Sequence, residues 1–321
     1  MTRIHAHLIR ILTITSFVAA VLQVQADSPD WKIPEPADWG TPEGTEAILK
    51  VTPKLSAGDF YLGMPPDEAL AKIKSLGLVI NPQDNYYFKI RQIPDQTING
   101  GVSAVIKEVL TGLMPADPKK TQEQITLNFT MYPNQPVVSS IRRILGIMDE
   151  SKAPTIGNTL AALRKKYGSE TDTDRRKLDF YWVFDYQGRP LSKAQYDKLK
   201  KIGGGPLSSY LDYKGTSTPD IQASKITRGY QVDPQDYRSY RSAVNYSLIV
   251  VKATIRTHKV NTYEAWDKIT SAPMDSLWVT IWDSALDYSA ATVSRNLALH
   301  NGEIQKQKEN DANKQNNVPG L

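Results

Sequence analysis

Along Ile125–Met131 the apolar residues Ile125, Leu127, Phe129 and Met131 alternate with Thr126, Asn128 and Thr130. A period of two puts these sets on opposite faces of a strand, one dry and one wet. Pro133-Asn134-Gln135-Pro136 marks a turn, and Val137–Leu145 reads as the antiparallel partner. Phe180, Trp182, Phe184 and Tyr186 form another strand, ended by Gln187-Gly188, and the stretches Tyr246–Ile255 and Leu277–Trp282 supply two more. Elsewhere the period is helical. In Pro66–Gly77 the residues Leu70, Ile73 and Leu76 share a face; Pro66 suits the first turn, Asp67 and Glu68 sit at the positive dipole end, and Gly77 offers a left-handed stop. Thr155–Gly168 repeats the design, with a stripe of Ile156, Leu160, Leu163 and Tyr167 and the cations Arg164, Lys165 and Lys166 in its last turn. A short helix is predicted over Ser192–Ile202 and a further one over Ser284–Leu299. Hairpin strands with few intervening helices predict an α+β fold, antiparallel sheets each packed with a short helix. The two similar helices imply a tandem helix-plus-sheet arrangement.

These elements divide the chain. Residues 1–26 stand apart from the rest, residues 27–57 form a Pro-rich arm without a clear period, and residues 58–150 hold the first helix-plus-sheet unit. Residues 151–299 hold the second, interrupted at about 188–242 by a polar insertion that includes Gly203-Gly204-Gly205-Pro206 and many tyrosines. Long irregular segments in compact domains are commonly functional or disordered, which draws attention to this one. The tail, residues 300–321, is rich in Asn, Gln, Lys and Glu and reads as a disordered tail or a frayed helix extension.

The first 26 residues carry Arg3 and Arg10, an apolar run from Ile11 to Leu22, and small residues at Val24-Gln25-Ala26. That order is a secretory signal peptide, with cleavage expected after Ala26. The run is too short to span a bilayer, which takes about 20 apolar residues, and no later segment has that length, so no transmembrane anchor is expected. The chain contains no Cys, which excludes lipid attachment at a new N-terminal Cys, disulfides and thiolate chemistry. Cleavage removes two Arg and no acid, so the +5 of the full chain falls to +3, and a nearly balanced chain gives no case for nucleic acid. A soluble periplasmic or secreted protein is the expectation.

The words Leu62-Gly63-Met64-Pro65-Pro66-Asp67-Glu68-Ala69 and Leu160-Ala161-Ala162-Leu163-Arg164-Lys165-Lys166-Tyr167-Gly168 resemble a group of uncharacterised exported bacterial proteins. In that group a Leu-Gly-Met-x-Pro-x-Glu-Ala helix start precedes a hairpin, a helix ending Lys-Tyr-Gly and aromatic strands. More distantly the pattern is similar to outer-membrane-assembly lipoproteins of the SmpA/OmlA type and to the β-lactamase inhibitor protein. The resemblance covers about residues 58–186 and implies helix-plus-antiparallel-sheet modules that bind other proteins; it brings no catalytic residues. Pro65 departs from the usual Ser or Thr cap, and the insertion after Gly188 has no counterpart.

Catalytic constellations are sparse. G-x-S-x-G and S-x-x-K are absent. Only His258 and His300 survive cleavage, His258 being the one candidate imidazole base, and two histidines without H-E-x-x-H argue against zinc. Asp283 and Asp287 lie four apart at a helix start, a spacing that would suit paired acid and base, though Asp283 is more simply a cap. Asp172-Thr173-Asp174 lacks the Gly and closing Glu of a calcium loop and reads as a charged turn. The glycine run lacks the Lys-Ser/Thr of a phosphate loop, so no cofactor is expected. Tyr230, Tyr237, Arg238, Tyr240 and Arg241 interleave aromatic and guanidinium groups as recognition surfaces do, and are the candidate binding residues. The expected function is a non-catalytic binding protein with a protein partner; the alternative is an envelope hydrolase acting on glycan or peptide through carboxylates such as Asp283 and Asp287.

Overall fold

The computed structural model describes residues 40–80, 122–130, 134–202 and 248–287, the backbone of three strands between 90 and 113, and scattered positions outside these ranges, among them helical ones from Ser289 to Ala312. Its strands are β1 (Ser56–Ala57), β2 (Phe60–Tyr61), β3 (Val79–Ile80), β4 (Ile90–Asp95), β5 (Gly100–Val105), β6 (Val109–Leu113), β7 (Gln122–Phe129), β8 (Val138–Gly146), β9 (Asp172–Asp174), β10 (Asp179–Asp185), β11 (Leu248–Arg256) and β12 (Ser276–Asp283). Its helices are α1 (Pro42–Val51), α2 (Pro66–Ser75), α3 (Ile156–Tyr167), α4 (Lys193–Ile202) and α5 (Trp266–Ser271).

Helices and antiparallel sheets make this an α+β protein. Eight strands form one sheet in the order β3-β6-β7-β8-β12-β11-β10-β9, while β1-β2 and β4-β5 are separate two-stranded ribbons. The expectation of two sheets, one per unit, is thereby refined. Each half contributes four strands, and the last strand of each half pairs with the other, from Ser276 opposite Gly146 to Trp282 opposite Ser140. The strand order is symmetric about this seam, which is what two successive helix-plus-meander units produce, although symmetry of order does not make them copies.

Period two then assigns the faces. Ile125, Leu127, Phe129, Ile141, Phe180, Trp182, Phe184, Ile249, Val251, Val279 and Ile281 point to the front face and join the stripes of α2 and α3 in one buried cluster. Local sequence explains how the two helices reach it. Thr155 caps α3 by accepting from Asn158 N at 3.1 Å, and Gly168 ends it at φ +88° and ψ −164°, a backbone region that is essentially open to Gly alone. The α2 helix starts without a side-chain cap, Pro65 standing at that position, and Gly77 follows it at φ +68°.

The arm at 27–57 is corrected in its second half, where α1 and β1 form. The Pro and Gly that read as breakers are a helix start: Thr41 caps by accepting from Gly44 N at 3.0 Å, Pro42 occupies the first turn and Glu43 meets the dipole. Ile48 buries its side chain against Val137, Ala285 and Leu286, and Thr45 Oγ1 lies 2.8 Å from Ser289 Oγ. The helix is therefore docked on the segment that follows β12, whose residues 284–287 are helical.

On the back face α4 and the residue Leu191 before it cover one end of the sheet, packing Leu191, Tyr196 and Leu199 on Tyr181, Val183, Leu248 and Val250. The face expected to be wet along β7 is covered at Asn128, which lies opposite Ser140, itself opposite Trp282, all at most 1% exposed. Asn128 Oδ1 and Ser140 Oγ are buried without a hydrogen-bond partner among the described residues. Within the tail, residues 306–312 are helical and exposed, in keeping with their polar composition. Among the described residues no helix is long and apolar enough to cross a membrane.

Two stability outcomes follow from this packing. Ile281→Ala, at the fully buried seam position opposite Ile141, is expected to cost about 2–5 kcal/mol in denaturant unfolding and to leave a single transition. Ser140→Ala removes a buried hydroxyl that has no partner and is expected to be neutral or stabilising by about 1 kcal/mol, measured the same way; a loss of 2 kcal/mol or more would mean that the hydroxyl is satisfied.

Candidate functional site

The candidate binding residues Tyr230, Tyr237, Arg238, Tyr240 and Arg241 lie outside the described residues, as does most of the insertion that carries them. The leader at 1–26 lies outside them as well.

The described candidates have structural partners. His258 stands on the surface just past β11, where Asp275 Oδ2 accepts from its backbone N–H at 2.6 Å and lies 2.7 Å from its Nδ1. The pair belongs to a surface network that adds Glu150 and Lys259. In the Asp172–Asp174 segment, which is β9, Asp174 accepts from the backbone N–H of Arg176 and Lys177 as a turn residue does, and Asp172 pairs with Lys193. Among the described residues no three His, Asp or Glu side chains converge as a metal-ligand set.

Asp283 and Asp287 do approach one another, in different settings. Asp283 is fully buried; its Oδ1 accepts from Leu286 N–H at 2.9 Å, a cap of the helical turn, and its Oδ2 accepts from Thr52 Oγ1 at 3.0 Å, tying the end of α1 to the end of β12. Asp287 accepts from Ser139 Oγ at 3.0 Å and from Trp282 Nε1 at 3.4 Å. Burial pushes the Asp283 carboxyl up to about 7, with the Asp287 charge adding to the rise, against the lowering effect of its hydrogen bonds. With no exposed surface Asp283 cannot touch a substrate, and its geometry is that of a clamp.

The half-open middle of the back face carries a different chemistry. Trp278 of β12 lies diagonally between Arg142 of β8 and Arg256 of β11, whose guanidinium carbons stand 5.2 and 5.7 Å from its ring centroid. Diagonal neighbours on one face are within reach of long side chains, so the register of three strands sets this stack. Thr280, Thr126, Gln124 and Ile144 surround it, all half-buried, and Arg256 is exposed with no ion pair among the described residues. Farther along β11 the cation Lys252 is neutralised, its Nζ 3.1 Å from the buried Asp179, which also accepts from Thr254 Oγ1 at 2.5 Å. Sequence reasoning found the strand Leu277–Trp282 but not this stack. The signal present was a Trp on the parity opposite Leu277 and Val279; what was missing was the register that brings two arginines to it.

No protein-family model matches this chain, and no curated protein or solved structure shows significant similarity to it.

The Asp283 carboxyl gives a pH prediction. Its folded pKa exceeds the ordinary value of 3.8, so its protonated form is the one the fold favours; that stabilisation is complete below about pH 4 and is lost as pH rises towards 7. Asp283→Asn keeps a cap acceptor without the charge. Its stability relative to the parent is expected to improve between pH 4 and 7, by up to a few kcal/mol, in parallel unfolding series; a flat difference would show that the parent carboxylate is not penalised by burial.

Proposed function

We propose that this chain is an exported, non-catalytic binding protein that holds a protein partner on the half-open back face of its sheet. The observation that carries the reading is the Arg142–Trp278–Arg256 stack, a large apolar ring between two guanidinium groups on a rigid strand surface. Trp and Arg dominate the energetics of protein contacts, because each brings wide contact area with oriented polar groups. With Lys252 neutralised by Asp179, the stack retains Arg256 as a cation without an ion pair among the described residues, so the complementary partner surface places an acidic side chain beside an apolar one.

Export to the periplasm or the medium, with cleavage after Ala26, is proposed from Arg3, Arg10, the apolar run and Val24-Gln25-Ala26. The likeness of the words at 62–69 and 160–168 to exported protein-binding modules supports the same reading as pattern alone. Tyr230, Tyr237, Arg238, Tyr240 and Arg241 are proposed to extend the surface from the insertion. The reading through Asp283 and Asp287 as acid and base has less support, since Asp283 is sealed from solvent.

The test compares parent, Trp278→Ala and Arg256→Glu as bait in native envelope extract. A partner held by the parent is expected to be bound at least tenfold more weakly by each variant, with unfolding midpoints close to the parent's, and parent binding is expected to fall as salt rises. Equal capture by parent and both folded variants would remove this face from the reading.

A further inference from the structure

The front face contains a cleft that the protein-binding reading does not use. It has a volume of about 320 Å³ and lies where α3 leaves the seam of β8 and β12 partly uncovered. Leu145, Leu277 and Val279 supply aliphatic floor, Ala162 of α3 forms part of a wall, and two cations, Arg143 and Lys166, border the same space. We propose that this cleft binds a small amphipathic anion, an acidic head on a single apolar chain, with Arg143 and Lys166 holding the head.

Three observations support this ligand class. The Arg143 Nε donates to Glu123 Oε1 at 2.6 Å, while the terminal nitrogens of its guanidinium have no hydrogen-bond partner among the described residues. A guanidinium carries five N–H donors, so those groups are available to an acceptor in the cleft. The guanidinium packs directly on Gly58, at φ +65° in the β1–β2 turn, where a Cβ would stand 2.9 Å from Arg143 Cζ, so the missing side chain lets Arg143 hold this position at the cleft. Lys166 Nζ makes no ion pair among the described residues and lies 5.6 Å from the Tyr167 ring centroid.

Burial and repulsion from Arg143 both lower the Lys166 ammonium's pKa, only partly offset by Asp59; Arg143 has Glu123 as its partner, so the charge held at a cost is that of Lys166. An anion beside Lys166 that also accepts from the Arg143 terminal nitrogens relieves that cost, whereas a cation of the same shape adds to it. The volume is at the lower end of small-molecule pockets, which favours one short chain over a two-chain lipid. The cleft opens on the face opposite the Trp278 stack, so the two sites can be tested separately.

The experiment is isothermal titration of the full mature chain with octanoate, and with octylammonium, which has the same chain length and the opposite charge. Octanoate is expected to bind and octylammonium to bind at least tenfold more weakly. Lys166→Gln is expected to weaken octanoate about tenfold, the loss of one charge-assisted hydrogen bond. Ala162 is exposed on α3, so Ala162→Trp is expected to fill the cleft and abolish binding while leaving the thermal unfolding midpoint close to the parent's. The proposal is overturned if octanoate does not bind the parent, if octylammonium binds equally well, or if the folded Ala162→Trp protein binds octanoate as the parent does.

Discussion

The antiparallel pairing of β8 with β12 joins two four-stranded halves whose other ladders are each made within one half. Residues about 140 positions apart meet there, with Ile141 opposite Ile281 and both fully buried. Register matters because the side-chain period is two: a slip of one residue along β12 would send Ile281 and Val279 to the back and Trp278 and Trp282 into the core. The same seven pairs set the front floor on which α2 and α3 pack, the diagonal stack of Arg142, Trp278 and Arg256 behind it, and the cleft at Leu145 and Leu277.

Polar contacts secure the ends of this sheet. Asp283 links the last residue of β12 to Thr52 at the end of α1 and to the helical turn at Leu286, and Ser289 meets Thr45 on the same helix. The N-terminal segment is thus held against the chain's C-terminal part, across a separation of more than 230 residues, by hydrogen bonds and by Ile48 in its own apolar cluster. A buried carboxylate is an expensive anchor, yet each oxygen of Asp283 has a donor, so the arrangement fixes geometry while leaving the clamp sensitive to proton concentration. A different economy operates at Lys252 and Asp179, where burial is compensated by pairing and by the Thr254 hydroxyl.

Local signals were legible in the sequence. Thr155 and Gly168 bracket α3 as capping chemistry dictates, alternation located β7, β8, β10, β11 and β12 to within a few residues, and Asp283 was readable as a cap. Local signals also mislead: Thr41-Pro42-Glu43-Gly44 reads as arm although Pro and Gly fit a capped first turn, because only the burial of Ile48 against distant residues makes α1 worthwhile. Asn128 and Thr130 read as solvent-facing from alternation alone, yet both are buried, for what covers a strand face is decided by segments remote in sequence. The Trp278 stack was illegible for the same reason. Its three members come from three strands, and no local rule sets the register between them.

Hydrogen exchange under native conditions tests most directly whether the seam holds the two halves as one cooperative sheet. The account predicts that the Ile141, Val279 and Ile281 amides exchange only through global unfolding, with the same free energy as the β7 and β11 core amides. Seam amides exchanging through a lower-energy opening, while the strands of each half stay protected, would contradict it.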